Sequence, residues 1–345
     1  MTDTTAPAGT LTAPATAEAF SFGDPEAVLD RREILDYVEC WLNGDWYETP
    51  ISFDGLARSL RASTHHASAI HFKAQVLAST LRPHPLLSRA TLQWAALDFQ
   101  VFGNGYLERP LNRLGGAMPL RHALAKYTRR HRDLRRFGFV RSWQSEHIFS
   151  NGSICHLLEP DVHQEIYGLP QYLAALQSAW LNESATLFRR RYYNNGSHAG
   201  YILYLSDPEV AKDDVDALRQ ALKSSKGMGN FRNLFFHSPG GKDKAIQLLP
   251  IGEAAAKDEF FNIKNVSRDD QLAAHRVPPQ LIGVVPANAG GFGDVINAAR
   301  VFARHEIQPL QTYFAQTINE WMGEEVCRFD PYMLPSVEPA QQGLV

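Results

Sequence analysis

Apolar residues recur along this chain with two spacings, one near the helical repeat of about 3.6 residues and one near the strand repeat of about 2. From Ser63 to Leu81, alanine, isoleucine, phenylalanine, valine and leucine return at helical spacing, and Pro83 and Pro85 close the run. Leu86 to Val101 repeats the pattern with Leu87, Ala90, Leu92, Trp94, Ala95, Leu97 and Phe99. Phe102-Gly103-Asn104-Gly105-Tyr106 reads as a turn into a strand, with Asn104-Gly105 as the turn. Shorter strand-like pieces follow at Phe137 to Trp143 and Glu146 to Phe149, and Asn151-Gly152 turns the chain again.

A third helix is expected from Pro170 to Tyr193. Leu173, Leu176, Trp180, Leu181, Leu187 and Phe188 make its apolar face. Arg189-Arg190-Arg191 suits the negative end of its dipole, and Asn194-Asn195-Gly196 stops it. Gly200 to Gly252 reads as a small α/β module. Tyr201 to Leu205, Asn233 to His237 and Ala245 to Ile251 are its strands, and Ser206-Asp207-Pro208-Glu209 caps a helix running from Asp207 to Lys226. From Ala254 a helical pattern runs to the break Val277-Pro278-Pro279-Gln280-Leu281-Ile282-Gly283. A loop of small residues, Ala287-Asn288-Ala289-Gly290-Gly291-Phe292-Gly293, comes next. Asp294 to Met322 is a long amphipathic helix that Pro309 should kink. The expected class is α+β.

Composition narrows the partners. Apolar content of 44% and charged content of 21% over 345 residues are those of an ordinary folded chain. The net charge of −3 gives no global basic excess, which argues against tight nucleic-acid binding. Cys40, Cys155 and Cys327 are too far apart in sequence for metal-ligand spacing and read as free thiols. No signal peptide is apparent, no run reaches the roughly 20 apolar residues of a membrane span, and residues 1–23 read as a disordered arm.

Candidate chemistry is sparse. Pro239-Gly240-Gly241-Lys242 lacks the spacing and the following Ser or Thr of a phosphate loop, so a hairpin turn is the stronger reading. Gly290-Gly291-Phe292-Gly293 is a better anion nest but lacks a full dinucleotide fingerprint. The basic run Lys126 to Arg136 could contact DNA or an acidic partner; a solvated face or intersubunit ion pairs account for it as well. His65, His66, His71, His122, His131 and His147 form no metal motif, and Ser153, Cys155 and His156 form no nucleophile–base set. No catalytic constellation and no cofactor site emerges.

Taken in order, several stretches resemble the portal (connector) proteins of tailed bacteriophages, of the PBSX type. They are Phe102-Gly103-Asn104-Gly105-Tyr106-Leu107, Tyr167-Gly168-Leu169-Pro170, Tyr192-Tyr193-Asn194-Asn195-Gly196-Ser197 with Gly200-Tyr201-Ile202-Leu203, and Ala274-His275-Arg276-Val277-Pro278-Pro279-Gln280-Leu281-Ile282-Gly283. The resemblance spans roughly Glu39 to Met322. It implies a portal fold with a wing at 24–165, stem helices at 166–195 and 254–278, an α/β clip at 196–253 and a tunnel-loop region at 279–293. A long helix and short crown would occupy 294–345. It further implies a non-enzymatic homo-oligomeric ring, of twelve copies, at one capsid vertex of the virion, assembled in the host cytoplasm. Double-stranded DNA would pass through it, with Asn288, Ala289, Gly290, Gly291 and Phe292 of the tunnel loop beside it. Arg189, Arg190, Lys264 and Arg268 are the stem candidates for phosphate contact, and intersubunit ion pairing accounts for them equally well. Lys242 and Lys244 of the clip are candidates for docking the terminase large subunit, which head-completion proteins replace later; capsid and scaffold proteins surround the ring. The alternatives are a nucleic-acid-binding scaffold that uses the basic run and, more remotely, a nucleotide-binding enzyme that uses the glycine-rich loops.

Overall fold

The computed structural model describes residues 18–21, 40–142, 145–194, 201–205, 234–237, 246–250, 256–285 and 294–334. The chain divides into two units. The smaller takes Met1–Val28 and Ser184–Asn262, the larger Leu29–Glu183 and Ile263–Val345.

The first described strand, β1 (Glu18–Ser21), belongs to the smaller unit, and a short hairpin of β2 (Leu42–Asn43) and β3 (Trp46–Tyr47) opens the larger one. Helix α1 (Phe53–Ser59) starts where the Ser52 hydroxyl accepts the Gly55 amide at 3.1 Å. Helix α2 (Thr64–Thr80) and helix α3 (Arg89–Phe102) follow the apolar spacing of the sequence and pack on each other. Ser88 caps α3 at the Thr91 amide, and Gly103, left-handed at φ 68°, ends it.

The chain then builds β4 (Asn104–Glu108), β5 (Arg121–Ala123), β6 (Thr128–Arg130), β7 (Phe137–Ser142), β8 (Ser145–Ile148) and β9 (Ile154–Leu158). These form two antiparallel three-stranded sheets, of order β5-β4-β9 and β6-β7-β8. A 3₁₀ turn (Gln171–Ala175) leads into α4 (Leu176–Asn194), so the helix expected from Pro170 begins one turn late. The remaining strands are β10 (Tyr201–Leu205), β11 (Leu234–His237) and β12 (Ile246–Pro250). Helix α5 (Ala256–Ala274), α6 (Val295–Phe302) and α7 (Gln308–Met322) complete the described chain.

In the smaller unit the sheet order is β1-β11-β10-β12, with β10 parallel to β11 and antiparallel to β12. The three expected strands pair as one sheet, within one residue of their expected bounds. A parallel pair needs a crossover connection; the helix expected at 207–226 lies outside the described residues. One expectation changes. Residues 18–21, read as part of a disordered arm, form β1 and pair antiparallel with β11 from Glu18↔His237 to Ser21↔Leu234. A strand edge offers unpaired amides and carbonyls to any extended segment within reach, and composition alone does not register this.

Asn104-Gly105 is also corrected. It lies within β4, and the turn sits one residue earlier, at Gly103. Asn104 is fully buried and uses its whole amide. Its nitrogen donates to the Phe102 and Gly168 carbonyls at 2.8 Å each, and its oxygen accepts from the Gly168 amide at 2.9 Å and from His156 Nε2 at 2.8 Å. Gly168 is confined between the backbones of Gly103 and Glu159, where a Cβ has no room. The Asn104 side chain thereby fastens two stretches 64 residues apart in sequence.

Three apolar clusters of the larger unit surround this junction. One joins α1 to Tyr106, Phe137 and the start of α4; a second joins α2 and α3 to Phe314 and Ile318 of α7; a third gathers Leu272, Val277, Phe302 and Ile307 against α2. Gly168→Ala should force two backbones apart and destabilise the fold by about 1–3 kcal/mol. A chemical-denaturation midpoint unchanged from the wild type would refute the close packing at this point.

Candidate functional site

The loop region expected at 279–293 is bracketed by a helix stop and a helix start, and both are described. Helix α5 ends in a Schellman motif. The Val277 amide donates to the Leu272 carbonyl at 3.0 Å and the Arg276 amide to the Ala273 carbonyl at 3.0 Å. Arg276 occupies the left-handed position at φ 55° that glycine usually takes, at about 1–2 kcal/mol for an L residue. Pro278 and Pro279 then enforce a short 3₁₀ turn that Gly283 closes at φ 77°. On the far side, the Asp294 carboxylate accepts the Asn297 amide at 2.8 Å and starts α6.

The break expected at Pro309 takes the form of a π turn over Ala303–Ile307, in which the Gln308 amide reaches back to the Ala303 carbonyl. Proline has no amide to continue an α ladder, and one wide turn before it absorbs the mismatch. The π turn buries Glu306. Its carboxylate accepts from Lys73 Nζ of α2 at 2.8 Å, with both side chains about 6% exposed, and from Arg276 at 3.5 Å. Burial pulls the Lys73 pKa down, and Glu306 opposes that shift. One carboxylate therefore ties the two ends of segment 277–305 to each other and to α2.

Beside it lies a second buried polar pair. His66 Nδ1 and His275 Nε2 are 2.9 Å apart, and the Tyr172 ring packs against both imidazoles. Burial pushes the His66 pKa down to about 4. His275 is pushed lower still, by burial first and then by Lys73 and His66. Both rings are neutral at pH 7, so one donates and the other accepts. His66 Nε2 is buried without a partner. An unpaired lone pair costs less than an unpaired N–H, which places the proton on His66 Nδ1.

Within the larger unit, α4 and α5 meet through small and polar side chains. Asn182 Nδ2 donates to the Ser267 hydroxyl at 2.8 Å, the Ser178 hydroxyl to Asp270 at 2.9 Å, and Gln271 Nε2 to the Ser178 carbonyl at 3.4 Å. Ala179, Ser267 and Gln271 are buried there, while Leu181 and Val266 are exposed.

The sequence-derived candidates divide accordingly. Asn288, Ala289, Gly290, Gly291 and Phe292 lie outside the described residues, as do Lys242 and Lys244. Arg189 and Arg190 are exposed on α4 in the smaller unit. Lys264 and Arg268 lie on α5 in the larger unit, close enough to His65 to hold its pKa down, after burial; Arg268 also pairs with Asp269 at 2.8 Å. The basic run, read as a solvated or intersubunit feature, is largely paired within its own chain. Lys126 meets Asp54 at 2.6 Å, Arg129 meets Glu48 at 3.7 Å, Arg132 meets Asp45 at 3.2 Å and Arg136 meets Asp133 at 2.6 Å. Arg130 stacks over Phe137 at 4.3 Å. Among the described residues no group of three His, Cys, Asp or Glu gathers as a metal site. Sequence reasoning did not pair Lys73 with Glu306 or His66 with His275. For the first pair the available signal was a lysine on the apolar face of α2, with Ala69, Ile70 and Leu77.

The described residues make a mixed α+β chain in which a helix stop at 277–283 and a helix start at Asp294 flank a stretch outside the described residues. The phage portal protein family model matches residues 63–342. Over 317 residues the chain is 53% identical to the probable portal protein of Escherichia phage P2, covering 92% of each. Its fold is similar to a chain in the neck of a native gene transfer agent particle computed with C12 symmetry, at TM-score 0.62 and 18% identity, covering 88% of this chain and 90% of that one. It is also similar to an HK97 family phage portal protein from Corynebacterium diphtheriae, at TM-score 0.55 and 13% identity, covering 80% and 94%. The chain belongs to the phage portal protein family, a family of structural, non-enzymatic proteins of the virion.

Removing one member of the Lys73–Glu306 pair leaves a buried charge, so Glu306→Leu or Lys73→Met alone should cost about 3–5 kcal/mol, while the double variant should regain most of that loss. A double-mutant cycle by urea denaturation measures the coupling; additive losses would show that the pair is not coupled.

The histidines set a pH dependence. An unfolded histidine titrates near 6.5, and the folded pKa values are lower, so the unfolded chain takes up protons first as pH falls. Stability is then full above about pH 6.5 and is lost as the pH falls from there toward 4, at up to about 1.4 kcal/mol per unit for each histidine. His66→Gln should flatten the fall in denaturation midpoint between pH 7 and 5. An unchanged slope would place the titrating group elsewhere.

Proposed function

We propose that this chain is the subunit of a closed ring of twelve copies at one capsid vertex, and that the bore of the ring conducts double-stranded DNA inward during packaging and outward at ejection. The observation that carries the reading is the fastening of the two ends of segment 277–305, where Glu306 holds Arg276 and Lys73. The 12-fold neck to which the fold is similar supports the stoichiometry.

On this reading Asn288, Ala289, Gly290, Gly291 and Phe292 present a low-bulk surface to passing DNA. Arg189, Arg190, Lys264 and Arg268 supply a few phosphate contacts. Each added contact strengthens salt-dependent affinity and retards sliding, so a net charge of −3 suits a conduit. The clip, with Lys242 and Lys244, docks the terminase large subunit and then a head-completion protein, and capsid and scaffold proteins surround the ring. Assembly takes place in the host cytoplasm. The scaffold alternative loses support because four of the basic side chains it would use are ion-paired within the chain.

Electron microscopy of the purified full chain should show annular particles viewed end-on. Monomers alone under all conditions, or tight sequence-selective DNA binding at physiological salt, would contradict the conduit.

A further inference from the structure

A closed head-to-tail ring joins two different patches, one offered by each copy and one received. Resting on the ring reading above, two features of the larger unit fit those roles. The first is a groove of about 1040 Å³ between α6, the π turn and α7 on one side and the segment 324–334 on the other. Ile296, Ala303 and Ala315 give it apolar lining, and Arg300, Arg304 and Arg328 line it as well, with Glu325 as its acid. Asn297 holds Arg300 at 3.1 Å, but among the described residues neither Arg304 nor Arg328 has an ion-pair partner. An apolar lining with excess positive charge fits an acidic segment that carries an aliphatic side chain.

The second feature is the turn Asp161–Glu165. The Asp161 carboxylate accepts the His163 amide at 2.8 Å, and the Asp161 carbonyl accepts the Gln164 amide at 3.3 Å. Gln164 Oε1 accepts the Cys40 thiol at 3.1 Å. The turn is thus tied down, and it holds Val162 93% exposed between Asp161 and Glu165. A preorganised turn loses little freedom on docking.

The two features lie on different sides of α7. Gln308, Thr312, Ala315 and Asn319 face the groove. Tyr313, on roughly the opposite face at about 100° per residue, bonds through its hydroxyl to the amide and carbonyl of Leu158, at 2.8 and 2.7 Å, three residues before the turn. That placement suits a heterologous contact and not a self-complementary one. We infer that the turn of one subunit seats in the groove of the next, with Val162 on the apolar lining and Asp161 and Glu165 against Arg304 and Arg328.

The test is a charge exchange in the full chain, read as the ring fraction by native mass spectrometry, with far-ultraviolet circular dichroism as the folding control. Glu165→Arg and Arg304→Glu should each lower the ring fraction about tenfold, and the double variant should restore it. Singles that assemble like the wild type, or a double variant no better than the singles, would overturn the contact while the wild-type ring stands. A wild-type chain that never forms a ring would remove the ring reading and this contact with it. Should a charge variant fail to fold, Val162→Cys with Thr312→Cys keeps the question open to experiment. Mild oxidation of assembled rings should give covalent multimers only when both cysteines are present, and their absence would overturn the contact.

Discussion

The larger unit depends on one buried carboxylate. Glu306 accepts from Lys73 at 2.8 Å and from Arg276 at 3.5 Å. Burying a lysine and a glutamate is costly, and the cost is met only when the partner and its geometry are in place. That requirement links three otherwise separate features. The π turn brings Glu306 inward, the left-handed Arg276 turns back toward it, and α2 carries a lysine on its apolar face. A buried ion pair contributes little net stability compared with a packed apolar pair. A one-residue slip of α2 or of the π turn would leave a charge buried without its partner, so the pair opposes such slips.

The same logic explains the residues that make the family resemblance legible. Gly103, Asn104 and Gly168 belong to one backbone junction, in which Asn104 fills all its hydrogen bonds and Gly168 tolerates no side chain. Tyr167 continues that junction outward, donating to the Tyr47 carbonyl at 2.6 Å and accepting the Arg130 amide at 2.9 Å. His275, Arg276, Val277 and Pro278 combine a histidine pair, a left-handed residue, a Schellman contact and a helix stop in four consecutive positions. Each short stretch is a place where the backbone needs a particular residue.

Charge is distributed in keeping with a conduit. Most of the densest basic run is ion-paired within its own subunit, and α4 meets α5 through hydroxyls, amides and the Asp270 carboxylate. Leu181 and Val266 stay exposed on these helices.

The sequence by itself determined the local elements, because helical and strand periods, prolines and glycines act over a few residues. It yielded α2, α3, α4, three of the four strands of the sheet in the smaller unit, the stop after α5 and the start of α6. It also pointed to the family, through residues whose backbone demands are local. Only the tertiary structure decided the partners. That Asn104 is a buried strand residue and not a turn depends on Gly168, 64 residues away. That Lys73 is tolerated on an apolar face depends on Glu306, at a separation of 233 residues. The basic run looked available because its acids, Asp45, Glu48 and Asp54, lie more than 70 residues before the arginines and lysine they neutralise. Long-range pairing has no period to read, and the energy of a buried charge is set by what the fold brings to it.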